Sequence, residues 1–142
     1  MTLKDAVSIC VGEKYAQFSG RASRAEYWWF ALATFIYTLA VMVVFLAVNG
    51  VFGGFSKASG LSSMGFLVLI GGALGYIGLL IPSVCVTVRR FHDVNLSGWW
   101  VLVGFALGAV PLVGWIASIA MFVVTLLRGT AGDNRFGPNP LI

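Results

Sequence analysis

The chain has 142 residues, enough for one domain, and 59% of them are hydrophobic whereas only 10% are charged. Soluble domains carry about 25% charged residues, so this composition, with a mean hydropathy of +0.95, excludes a soluble globule, a disordered chain and a coiled coil. The net charge of +4 does not indicate nucleic acid, because the basic residues flank apolar runs, where anionic lipid and membrane topology account for them. We therefore predict a single integral membrane domain over residues 1–142.

The first predicted element is an amphipathic helix over residues 3–18. Apolar residues recur there at steps of three and four, and charged residues lie between them: Lys4, Asp5, Glu13 and Lys14. This pattern is typical of a helix lying in the membrane interface; a frayed, soluble N-terminus is the alternative. Cys10 and Cys85 show no metal-ligand or redox spacing, so we interpret both as small apolar fillers.

A capping box precedes the first predicted membrane segment, residues 24–48. Ser23 and Glu26 form an S-x-x-E pattern directly before an apolar run, and the aromatic residues 27–29 stand where an aromatic belt belongs. Because the capping role accounts for Glu26, we do not expect catalysis or ion coupling by this carboxylate.

A Gly/Ser-rich connection, residues 49–63, carries Lys57 as its single charge and leads to the second predicted membrane segment, residues 64–88. Within this segment, Gly71 and Gly75 have the spacing that lets two helix backbones approach closely. We expect this glycine pair to pack against a neighbouring helix of the same chain; a seam between two copies is the alternative.

The stretch RRFHDVNLSGWW (89–100) carries the densest set of polar side chains. Arg89 and Asp93 are four residues apart, so a continuing helix would let them pair at the interface. His92, the single histidine, lacks the further His and Asp ligands that a metal site requires. We interpret Arg89, Arg90, His92 and Asp93 as structural interfacial residues, and we expect no metal.

The last apolar stretch, residues 99–127, is either one kinked span or a tight hairpin. Pro111 divides it into two arms, each shorter than the ~20 residues of a full span. Gly104 and Gly108 provide small residues for close packing of the first arm. A polar, turn-rich tail follows at residues 128–142.

The distribution of basic residues favours the hairpin, and hence four membrane-embedded helices of which the last two are short. With a cytoplasmic N-terminus, a single third span would export Arg128 and Arg135, against the positive-inside bias. A hairpin instead keeps the C-terminus cytoplasmic and gathers one interfacial polar cluster: Arg21, Arg24, Glu26, Arg89, Arg90, His92, Asp93, Asn134 and Arg135. In it, we expect Glu26 and Asp93 to share the partners Arg21, Arg90 and Arg135.

Three sequence blocks, GRASRAEYWWF (20–30), RRFHDVNLSGWW (89–100) and GTAGDNRFGPNP (129–140), cover the chain in order. Together they resemble the signature blocks of the domain-of-unknown-function 805 family. The resemblance implies a small, multi-pass protein of the bacterial inner membrane. It implies no activity, because the family has no established biochemical function.

The residues themselves favour a non-enzymatic scaffold, or a protein that binds small partners or lipid. A subunit of an oligomeric channel or transporter is the alternative, although ion coupling usually needs ionisable residues inside the spans. We expect no enzymatic activity, because no nucleophile–base pair and no working carboxylate pair is visible. The expected partners are anionic lipid headgroups and a second copy or another membrane protein; we expect no cofactor and no nucleic acid.

Overall fold

The computed structural model describes residues 1–52 and 63–140, and within these ranges the regular structure is helical. The elements are α1 (Leu3–Val7) with a π-helical segment (Ser8–Glu13), α2 (Arg24–Phe52), α3 (Ser63–Asp93), α4 (Trp99–Gly108) and α5 (Val113–Leu126). The predicted all-α class, with two long and two short apolar helices, is confirmed. Most of the predicted connection at 49–63, Lys57 included, lies outside the described residues.

Among the residues that the structure describes, helices α2 and α3 are the two elements long and apolar enough to cross a membrane. Their 29 and 31 residues correspond to ~43 and ~46 Å at helical rise, against a hydrocarbon core of ~30 Å. Helix α2 runs four residues past its predicted end at residue 48, since a helix satisfies its own backbone where water is absent. Helix α3 runs five residues past residue 88, because the charged side chains at its end find buried partners.

Close packing of α2 on α3 depends on Gly72 and Gly75. A Cβ at Gly72 would collide with Val41, and one at Gly75 would collide with the Tyr37 hydroxyl, which donates to the Gly72 carbonyl oxygen at 3.1 Å. Gly71 faces open space. The expectation that Gly71 and Gly75 both pack against a neighbouring helix of the chain was therefore wrong for Gly71. It lies about 100° around the helix from Gly72, which turns it away from α2.

Helices α4 and α5 form a hairpin. A Cβ at Gly104 would collide with Met121 of α5, while Gly108 itself meets no such neighbour. The backbone of Gly108 instead lies against Gly114 of α5, where a Cβ would be 2.6 Å from the Gly108 carbonyl oxygen. With 10 and 14 residues, the arms reach only ~15 and ~21 Å.

The tip of the hairpin is a γ-turn of the rare, strained form. Leu112 has φ 65° and ψ −51°, and Val113 N donates to Pro111 O across it at 2.8 Å. Gly114 N also donates to Val110 O at 2.8 Å. Both bonds pair backbone N–H groups of the turn, as a turn surrounded by lipid would require.

The N-terminal helix is shorter than the predicted range 3–18. It ends at Glu13, where the Lys14 backbone adopts φ −124° and ψ 35° and its N–H donates to the Ile9 carbonyl at 2.7 Å. Its inner face carries Ala6 and Cys10, both fully buried.

The burial pattern is the reverse of that of a soluble protein. Large apolar side chains along the helices are exposed, Leu74 at 65% and Trp115 at 77% for example. The buried polar residues gather at one end of the molecule: Arg21, Ser23, Glu26, Arg89, Arg90, Asp93 and Thr125. An apolar exterior around a polar interior fits a chain surrounded by lipid, because apolar surface of this extent is rare on soluble monomers.

Candidate functional site: a buried charged cluster

Five charged side chains form a cluster where the start of α2 and the ends of α3 and α5 meet. These residues, called the charged cluster below, are Arg21, Glu26, Arg89, Arg90 and Asp93. None is more than 5% exposed. Buried charges are costly unless each is paired and hydrogen-bonded, so the partners of each side chain decide what the cluster does.

Arg21 ties the α2 approach to α3 and to the tail. Its Nε donates to Oδ1 of Asp93 at 2.9 Å, and its Nη2 lies 2.8 Å from the same oxygen. Nη1 donates to the Gly132 carbonyl at 2.6 Å, and Nη2 to the Thr130 carbonyl at 2.7 Å. One planar guanidinium, with donors in a fixed fork, thus orients a carboxylate and two turns of the tail.

Arg90 connects α3 to the end of α5. It pairs with Asp93 one turn later, donates from Nε to the Thr125 carbonyl at 3.1 Å, and donates from Nη2 to the Leu127 carbonyl. The last carbonyls of a helix have no partner within the helix, so Arg90 caps α5.

Arg89 pairs with Glu26 of α2. Its Nη2 also lies 3.8 Å from Sγ of Cys10, which is 3.9 Å from Oε1 of Glu26. Burial, reinforced by the Glu26 charge, raises the pKa of the Cys10 thiol from 9.0 to about 11. Of the described side chains, none accepts a hydrogen bond from Nε of Arg89.

The tail folds back onto the end of α3 through backbone and amide bonds. Thr130 N donates to the Asp93 carbonyl at 2.8 Å, and Asn134 Nδ2 donates to the His92 carbonyl at 2.9 Å. Gly129 lies so close to the Asp93 carboxylate that a Cβ there would collide with it. The glycine at this position is therefore what lets the tail reach Asp93.

His92 and Arg135 belong to a separate stack outside the charged cluster. The His92 and Phe136 rings are parallel, with centroids 4.0 Å apart. The Arg135 guanidinium lies over the Phe136 ring, 4.7 Å from its centroid. His92 Nδ1 lies 3.1 Å from the Gly20 carbonyl oxygen. A carbonyl can only accept, so this nitrogen carries the proton.

Four of the nine predicted members lie outside the charged cluster: Arg24, His92, Asn134 and Arg135. Arg24 is exposed, and Arg135 is exposed and donates to the Asn95 carbonyl at 3.0 Å. Glu26 and Asp93 were expected to share Arg21, Arg90 and Arg135 as partners. This was wrong for Glu26, whose ion-pair partner is Arg89. Asp93 pairs with Arg21 and Arg90 but not with Arg135.

Two further expectations for individual contacts also fail. Arg89 does not pair with Asp93. It pairs with Glu26 of the neighbouring helix, and Asp93 pairs with Arg21 and Arg90. The capping box is half formed: Glu26 N donates to Ser23 Oγ at 3.1 Å, but the Glu26 carboxylate faces Arg89 and Cys10. The interpretation of Cys10 as an apolar filler missed its contacts with both charges, and nothing in its spacing signalled them.

In the charged cluster, arginines and carboxylates neutralise one another. Three guanidinium groups face two carboxylates, which leaves an excess of one positive charge (3 − 2 = 1). Among the residues the structure describes, no group of three or more His, Cys, Asp or Glu side chains could hold a metal ion. The cluster joins helix ends and offers positive charge to its surroundings.

Two long apolar helices, a hairpin and a buried charged cluster at one end define a helical membrane protein. The chain belongs to the family described as "Protein of unknown function (DUF805)", which matches residues 15–138. It is 36% identical to Inner membrane protein YhaH of Escherichia coli (strain K12) over 128 residues, 90% of each chain. It is 30% identical to Inner membrane protein YhaI of the same strain over 138 residues, 93% of this chain and 92% of the relative. No solved structure matches it significantly.

Proposed function

We propose that the protein is a non-enzymatic scaffold of the bacterial inner membrane, crossing it more than once, with its charged cluster and both termini on the cytoplasmic face. There it presents a rigid polar surface to anionic lipid and to a partner, either a second copy or another membrane protein. The observation that carries this proposal is the double pairing of Asp93, which locks α3 to the α2 approach through Arg21 while Arg90 caps α5.

The partners of the buried groups support a structural role over a catalytic one. Both carboxylates of the charged cluster are neutralised by arginines, so neither is poised as a general base. The Cys10 thiol, with its pKa raised to about 11, is a weak nucleophile at neutral pH, since the thiolate is the reactive form.

The cytoplasmic placement rests on the positive-inside bias. Eight of the nine Lys and Arg residues lie in the segments 1–26, 89–93 and 128–135, which adjoin the converging helix ends. Anionic lipids of the cytoplasmic leaflet attract basic residues near the membrane surface by about 1 kcal/mol each. The same residues therefore favour lipid as one partner of this surface.

Reporter fusions test the placement. A reporter active only in the cytoplasm, fused after residue 142, is expected to be active, and one active only outside is expected to be silent. The reverse result would contradict the hairpin orientation and the convergent surface together.

Purification in mild detergent and reconstitution test the scaffold itself. We expect the tagged full chain to retain stoichiometric partner protein or anionic lipid, and liposomes containing it to show no ion flux above protein-free liposomes. Flux that depends on the protein would instead support the oligomeric channel. In an Arg21→Ala variant, loosening of the tail should weaken partner retention, measured per amount of folded protein because the substitution is also expected to destabilise the chain.

A further inference from the structure

A cavity of about 490 Å³ opens beside the charged cluster, between the start of α2 and the tail. Arg21 and Asp93 form its inner wall, and Arg24, Arg128, Thr130 and Ala131 form part of its outer wall. Its volume lies within the ~300–1,000 Å³ typical of small-molecule sites.

The charge of this cavity is positive. Three arginines line it against one carboxylate, a balance of +2 (3 − 1), and that carboxylate already faces Arg21 and Arg90. The charged cluster behind the wall adds its own uncompensated positive charge. An anion in the cavity would offset this charge where burial makes it costly.

The donors that an anion needs are present on the outer wall. Arg24 and Arg128 are exposed, and neither forms an ion pair with a described carboxylate, so their guanidinium groups are available for a phosphate. The donors of Arg21 are engaged by Asp93 and the tail, so Arg21 contributes charge alone.

The depth of the cavity agrees with the headgroup layer. Arg24 is the first residue of α2, and Arg128 follows two residues after the last residue of α5. Both therefore lie where an apolar helix meets the membrane surface. We propose that this cavity binds a phosphate group between Arg24 and Arg128, either the headgroup phosphate of an anionic phospholipid or a soluble phosphate. The site deepens the proposed function and rests on its lipid-binding part.

The test measures binding to purified full-length protein by native mass spectrometry and thermal shift. The probes are phosphatidylglycerol, phosphatidylcholine and, without lipid, inorganic phosphate. We expect the Arg24→Gln/Arg128→Gln variant to lose about tenfold or more in affinity, since two charge-assisted hydrogen bonds are removed. Arg135→Gln, which removes an exposed arginine off the cavity, should bind like the parent.

A second variant keeps the test independent of the two arginines. Ala131→Glu places a carboxylate on the exposed wall and should also weaken binding while leaving Arg24 and Arg128 in place. A response to phosphatidylglycerol alone identifies a lipid site, and a response to inorganic phosphate identifies a soluble ligand. Equal binding by parent and both variants, or equal loss in Arg135→Gln, would overturn the site. Failure of the scaffold would appear separately, as ion flux that depends on the protein.

Discussion

Arg21 and Asp93 are 72 residues apart in the chain, yet the Arg21 guanidinium donates to the Asp93 carboxylate at 2.9 Å with both side chains buried. Asp93 also holds Arg90 and, through its carbonyl, Thr130 of the tail. Asp93 therefore joins three segments: the approach to α2, the end of α3 and the tail.

The first prediction concerns Arg21→Ala. The substitution removes a buried ion pair and leaves the Thr130 and Gly132 carbonyls without their donor, so we expect it to cost about 3 kcal/mol. The melting temperature in detergent should fall, and proteases should cleave the tail faster. Arg135→Ala, at an exposed site worth ~0–1 kcal/mol, is the control; equal melting of the two variants would contradict the central role of Arg21.

The second prediction compares single and double substitutions of the Arg89–Glu26 ion pair. Glu26→Gln leaves the Arg89 charge buried without its counter-ion, which should cost about 3–5 kcal/mol. Arg89→Met should be destabilising for the converse reason. The double variant should unfold at a higher temperature than either single one, because no buried charge is then left unpaired. Additive losses would show that the two side chains do not interact.

The third prediction compares two neighbouring glycines of α3. Gly71→Ala meets open space and should stabilise the helix by up to ~1 kcal/mol, because alanine is the better helix former. Gly72→Ala forces its methyl group into Val41, a stiff side chain, and should lower the melting temperature. Equal effects of the two substitutions would mean that α2 and α3 do not pack as described.

The fourth prediction is a dependence on pH that comes from Cys10. Its folded pKa is raised from 9.0 to about 11, so between these values the unfolded chain loses the proton while the folded chain keeps it. Stability from this group is complete below pH 9 and declines as the pH rises toward 11. In Cys10→Ala, the melting temperature should fall less steeply over that interval; parallel curves would exclude a contribution from the buried thiol.

Local signals predicted the helices, and long-range geometry decided the charged cluster. The two long apolar runs indicate the two long helices, and Pro111 together with the distribution of basic residues favours a hairpin over one kinked span, because these features depend on what each segment tolerates in lipid. The partner of Arg89 was not predictable in this way. Asp93 has the correct helical spacing, but Glu26 competes from another helix, and only the approach of α2 to α3 decides between them.

The same limit applies to the glycines and to Cys10. Spacing identified Gly75 as a small residue suited to close packing, but not which of Gly71 and Gly72 faces α2, because that depends on the rotation of α3 about its axis. The contact of Cys10 with two opposite charges depends on where the N-terminal helix docks, and its own sequence carries no sign of that position.

The shortness of the α4–α5 hairpin has a consequence for the surrounding bilayer. In the placement proposed above, four helices lie in the leaflet near the charged cluster, and of the described helices only α2 and α3 continue beyond the hairpin tip at Leu112. The arms of ~15 and ~21 Å stop short of a ~30 Å hydrocarbon core. Each copy therefore displaces more lipid from one leaflet than from the other, and a membrane crowded with this protein would experience unequal lateral pressure in its two halves.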